Sequence, residues 1–124
     1  MLDHTDAVAT IAVRNIDSAR KFYSDTLGLE PGESREAQVL TYKSGASKIL
    51  VYESQFAGTN KATAATWAVD NVEKVVESLR SKGVKFEHYD MPGMTRQGDI
   101  HIAGKLKNAW FKDPDGNILS VVSK

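Results

Sequence analysis

The side chains able to do metal or acid–base chemistry are few. The 124 residues hold no cysteine, which excludes disulfides, thiolate metal sites and a cysteine nucleophile. Three histidines are present, His4, His88 and His101. Asp99 and His101 stand two apart, so on extended chain both point the same way. With Glu53 they form a candidate non-standard metal site or an acid–base pair. His88 alternates with Phe86, between Glu87 and Asp90, as a histidine on an edge strand would, and it is a further imidazole for such a site. The plainer reading of Asp99 and His101 is a loop pair without chemistry. His4 reads as solvated. No phosphate loop, nucleotide fingerprint or nucleophile elbow is present.

Charge narrows the partners. Sixteen Lys and Arg balance sixteen Asp and Glu, so no basic excess is available for a phosphate backbone, and nucleic acid is not an expected partner. No stretch approaches the roughly 18 apolar residues that span a bilayer, so no membrane contact is expected. Residues 1–6 carry two aspartates and no apolar run, which reads as no signal peptide and a cytoplasmic protein.

An internal repeat organises the chain that must position these residues. Thr10-Ile11-Ala12-Val13-Arg14-Asn15 and Thr66-Trp67-Ala68-Val69-Asp70-Asn71 agree at four of six positions at an offset of 56. Each copy runs into an amphipathic helix, with Ile16, Ala19, Phe22, Tyr23 and Leu27 on one face of the first and Val72, Val75, Val76 and Leu79 on one face of the second. Asn15 or Asp17, and Asn71, are the expected N-caps, and Gly28 and Gly83 the terminators. Downstream, residues 42–51 lie against residues 111–120 without a gap, each a strand, a tight turn and a strand. The later turn, Asp113-Pro114-Asp115-Gly116, is the sharper. The fold class is therefore α+β: two strand-helix-three-strand modules, about 6–56 and about 62–123, in one domain over 1–124. The offset grows from 56 to 69, and the added residues fall between Tyr89 and Lys107 as one long loop.

Alternation separates the strand faces. Ala9, Ile11 and Val13, like Ala65, Trp67 and Val69, are expected under the helices. The other face carries small residues, Thr10, Ala12, Thr66 and Ala68, that leave a hollow. Thr41, Ile49, Val51 and Glu53 are expected to line it from the first hairpin, and Trp110, Ile118, Ser120 and Val122 from the second. Trp110 then stacks on a planar ligand, or, if the strand is read one residue out of step, changes places with Phe111 in the core. The expected ligand contacts are Thr10, Thr41, Val51, Glu53, Thr66, Trp110 and Ser120.

Paired modules of this kind, with AVRNIDSARKFYSDTLGL at 12–29 and FKDPDGNILSVV at 111–122, resemble the vicinal oxygen chelate superfamily, which includes glyoxalase I, ring-cleaving dioxygenases, fosfomycin-modifying enzymes and bleomycin-resistance proteins. The resemblance covers Val8 to Val122. It implies that each module curls its sheet into a half-barrel with the helix outside, and that two chains pair as a homodimer. It also places the metal ligands of the catalytic members at Val8, Ala64, Ser120 and Val51 of this chain. None of these four is an imidazole, carboxylate or thiolate donor. The resemblance is thus to the metal-free branch, with no metal and no cofactor. The function it implies is binding or sequestering a small hydrophobic or aromatic molecule, as in antibiotic resistance, in the cavity between the two modules. The alternative is a divergent glyoxalase-type lyase or dioxygenase using relocated ligands such as Glu53, His88, Asp99 or His101. Met91 and Met94 among glycines suit the 90–107 loop to a lid or to a surface loop, and Arg96, Lys105 and Lys107 make it basic, to steer an acidic ligand or as a solvated cluster.

Overall fold

The computed structural model describes residues 1–33 and 36–124. After a 3₁₀ turn at Leu2–His4, the first half forms β1 (Ala9–Val13), α1 (Ile16–Arg20), β2 (Glu30–Pro31), β3 (Val39–Ser44) and β4 (Ser47–Glu53). The second forms β5 (Thr63–Val69), α2 (Val72–Ser81), β6 (Phe86–Glu87), β7 (Thr95–Gln97), β8 (Ile100–Ala103), β9 (Leu106–Lys112) and β10 (Ile118–Ser123). Two open sheets result, in the orders β1-β4-β3-β2 and β5-β10-β9-β8-β7, with β6 also on β9. The first strand of each half runs parallel to its last, and the other pairs are antiparallel. This is the expected α+β class, a repeated βαβββ plan with no closed barrel.

Both helices begin as the sequence dictates. The Asn15 side chain accepts from the Ser18 N–H at 3.0 Å, and Asn71 accepts from the Lys74 N–H at 3.0 Å, each satisfying an amide with no partner inside the helix. Asn15, not Asp17, is therefore the first cap. Gly28 and Gly83 follow the helices at φ +72° and +91°, which only glycine adopts without strain. The first helix departs from expectation in one respect. Beyond Arg20 it widens into a π-turn over Lys21–Thr26, and the Leu27 N–H reaches back five residues to the Phe22 carbonyl at 2.9 Å. Ala19 and Tyr23 from this helix, and Val72, Val76 and Leu79 from α2, are buried in one cluster with Ile11, Val13, Tyr42, Val51, Phe111, Leu119 and Val121. Trp67 packs against that cluster, and its Nε1 donates to Ser44 Oγ at 2.9 Å.

The Asp113–Asn117 turn joins the two halves. Asp113 Oδ1 accepts from the Asp115 and Asn117 amides, both at 2.9 Å, which shapes the turn. Its Oδ2 accepts from Tyr23 Oη at 2.7 Å and from Asn117 Nδ2 at 2.8 Å. Asn117 Nδ2 also donates to the Ala12 carbonyl at 2.7 Å, and the Arg14 amide donates to Asp115 Oδ2 at 3.1 Å. Burial and the Asp113 carboxylate push the Tyr23 phenol well above its ordinary range, so it stays a donor. Gly58 passes so close to the Asp115 carbonyl that a Cβ there would collide with it.

The 90–107 segment is not one long loop. Thr95–Gln97 and Ile100–Ala103 pair as a hairpin, and Ile100–Ala103 pairs in turn with the start of β9. The residues gained by the second half thus extend its sheet beyond β6. Turns at Gly98-Asp99 and Gly104-Lys105, with φ +63° and +59° at the glycines, make this possible. None of the helices is long and apolar enough to cross a membrane, among the described residues.

Candidate functional site: an open cleft on the first sheet

The strand faces are set by register. On β1, Ile11 and Val13 turn to the helices, so Thr10 turns to the open face. Its partner on β4 is Leu50, and across β3 the same face carries Val39, Thr41 and Lys43 opposite Tyr52, Leu50 and Lys48. These residues, with Pro31, Gly32, Glu33 and Glu36 at the rim, line an open cleft of about 1070 Å³. Thr10 and Thr41 thus stand where the sequence placed them. Val51 does not: it is 0% exposed in the core beneath α1, and Ile49 accompanies it. Glu53 is exposed at the end of β4, opposite Val13 and outside the cleft.

One residue of turn length causes this correction. Lys43 pairs with Lys48 across four residues, whereas its counterpart Lys112 pairs with Ile118 across five. The gapless alignment holds for β3 against β9 but slips by one on the returning strand, and a one-residue slip exchanges the faces of a whole strand. Leu50, not Val51, is therefore the structural mate of Ser120, since Thr10 pairs with Leu50 and Thr66 with Ser120. The sequence reading missed Leu50, Tyr52 and Lys48 for this reason. Counting outward from the tight Ser44-Gly45-Ala46-Ser47 turn would have found them.

Thr66, Ser120 and Trp110 come together on the open face of the second sheet. Thr66 Oγ1 and Ser120 Oγ share a hydrogen bond of 2.8 Å, and Trp110 Nε1 donates to Thr63 Oγ1 at 3.2 Å. Phe111, with Phe22 and Phe86 around it, takes the helix side, so the two aromatics do not change places. Trp110 is nevertheless 7% exposed, covered by the rings of Tyr89 and His101 at centroid distances of 5.4 and 4.8 Å. The seven expected contact residues therefore divide between two sheets, and the cleft is lined by the first half of the chain alone, not by both modules as expected.

Of the candidate metal residues Glu53 stands apart, whereas His88, Asp99 and His101 are neighbours on the second half, with the His88 and His101 ring centroids 6.4 Å apart. Asp99 Oδ1 lies 2.7 Å from His88 Nε2, and Asp99 Oδ2 accepts from Arg80 at 2.5 Å, at the surface. The His88 hydrogen bond is the largest influence on the Asp99 carboxyl and, with Arg80, outweighs burial to hold it below the usual range. His101 is instead buried at 1% exposure, and its Nε2 accepts the Tyr89 amide at 2.9 Å. The imidazole proton of the neutral ring is then on Nδ1, which has no hydrogen-bond partner among the described residues, like Tyr89 Oη and Asn108 Oδ1. Tyr89 and His101 border a smaller cavity of about 420 Å³ with Met91, Met94 and Arg96. Among the described residues no three His, Asp or Glu side chains gather as a metal-binding group. The ligand positions implied by the family hold Val8, Ala64, Ser120 and, by register, Leu50. Three are hydrocarbon and the fourth is a hydroxyl bonded to Thr66, so these residues do not fit a divalent ion.

Comparison with known proteins agrees with this architecture. The family model of the glyoxalase/bleomycin resistance protein/dioxygenase superfamily matches residues 2–121, and the chain belongs to that superfamily. No curated protein matches the chain. Among solved structures, a glyoxalase family protein from Enterococcus faecalis is 21% identical, with a TM-score of 0.72 over 98% of this chain and 99% of that one. A lactoylglutathione lyase from Agrobacterium tumefaciens is 17% identical, with a TM-score of 0.69 over 97% and 93%. A superfamily member from Sphaerobacter thermophilus is 19% identical, with a TM-score of 0.70 over the full length of both. At these identities the likeness is one of fold.

Proposed function

We propose that the chain is a binding protein that takes a small hydrophobic or aromatic molecule without a metal ion, in the manner of the resistance proteins of its superfamily. The observation that carries this reading is the first-sheet cleft: about 1070 Å³, with Val39, Leu50, Tyr52 and Pro31 as apolar wall and Thr10 and Thr41 as hydroxyls. A concave surface with an apolar wall and polar groups, here Lys43, Lys48, Glu33 and Glu36, placed around it is the usual form of a small-molecule site. The family's ligand positions, which hold no imidazole, carboxylate or thiolate, support metal independence. A homodimer is part of the same proposal, and its test is the molar mass in solution by light scattering.

The binding test is a screen of small aromatic compounds by thermal shift, on wild type and on Leu50→Trp, which fills the middle of the cleft. A ligand at a hundredfold excess over its Kd stabilises the native state by about 2.7 kcal/mol, several degrees in Tm. The expected result is a compound that raises Tm for wild type and not for the variant. A compound that stabilises both equally would place binding elsewhere.

A further inference from the structure

We infer that the ligand of the cleft is an anion: an apolar body carrying a carboxylate, sulfonate or similar group that docks between Lys43 and Lys48. This rests on the reading that the cleft is a binding site. Lys43 and Lys48 are direct partners across β3 and β4, and both line the cleft. Like charges placed opposite one another on neighbouring strands disfavour the sheet. Neither lysine has an ion-pair partner among the described residues, although five other lysine or arginine side chains on the molecule do.

Position along the hairpin gives the ligand a direction. The lysines flank the Gly45-Ala46 turn. Next come Thr41 with Leu50, then Val39 with Tyr52. The glutamates of the rim do not neutralise the lysine end: the Glu36 carbonyl accepts from the Val39 amide at 3.3 Å, which puts Glu36 at the far end, and Glu33 follows Gly32, whose amide bonds Thr41. Glu30, opposite Lys43 on β2, shares its face of the sheet, but it is not a lining residue and forms no ion pair with Lys43 among the described residues. The cleft therefore runs from a cationic end over an apolar middle. Two ammonium groups converging on one ligand oxyanion supply charge-assisted hydrogen bonds and relieve their own repulsion.

The test uses two fluorescent probes that differ only by the anionic group, 8-anilinonaphthalene-1-sulfonate and N-phenyl-1-naphthylamine. Wild type is expected to bind the sulfonate at least about tenfold more tightly, with the preference falling as salt rises. The double variant Lys43→Met/Lys48→Met keeps the apolar stems, and it should bind both probes alike. Lys105→Met, in an exposed turn away from the cleft, should behave as wild type. Equal affinities in wild type, or a preference that survives the double variant, would overturn the inference and leave the cleft as an apolar site. Failure of wild type to bind either probe would overturn the cleft reading itself, and the inference with it.

Discussion

Asp113 holds two amides with one oxygen and two side chains with the other, and one of those side chains, Tyr23, comes from the first half of the chain. Its family-like turn is thus a structural joint and stands outside the cleft. Asp113→Asn keeps the shape but sets an amide donor against Tyr23 and Asn117, which are donors already. The expected loss is about 2–4 kcal/mol in urea unfolding, with Tyr23→Phe costing about half as much. Asp99 is the group with a readable pH signature. Its lowered pKa means that its contribution is present above the ordinary Asp value near 3.9 and is lost as pH falls through the lower folded value. Asp99→Asn should therefore melt below wild type at pH 7, and the two should converge at acid pH below about 4. Parallel curves down to pH 2.5 would show that Asp99 contributes nothing by charge.

The strands and helices differ in how openly the sequence declares them. The caps Asn15 and Asn71, the glycine stops and the repeated Thr-x-Ala-Val motif act locally, and each is where alternation and capping chemistry put it. The β7–β8 hairpin is equally local in its signal, since Gly98-Asp99 and Gly104-Lys105 are two-residue turns on either side of the alternating Ile100-His101-Ile102. It was hidden because its strands are only three and four residues long. The faces of β4 are hidden for a different reason: the final hairpin repeats in its pairing but not in its turn length. Two substitutions separate the faces. Val51→Ser should cost roughly 2–4 kcal/mol, from a cavity and a buried hydroxyl, while Leu50→Ser should barely change stability and should weaken ligand binding. The reverse order would restore the original face assignment.

The whole molecule is two sheets sharing one core on their helix sides, with unequal open faces. The second is occupied by its own aromatics, Tyr89, His101 and Trp110; the first is bare down to Thr10 and Leu50. The difference could not be read from the repeat, because it depends on where Tyr89 folds once the inserted hairpin extends the sheet. What was legible is the lack of imidazole, carboxylate and thiolate side chains at Val8, Val51, Ala64 and Ser120, the positions the resemblance gives to a metal. Metal content of the purified protein, paired with thermal melts in Ni²⁺, Zn²⁺, Mn²⁺ and Fe²⁺, addresses that most directly, because an ion bound only by the native state must raise Tm. Sub-stoichiometric metal and unchanged melts are the expected result. One tightly bound ion per chain with a clear rise in Tm would contradict metal-independent binding and turn attention to His88, His101 and Glu53.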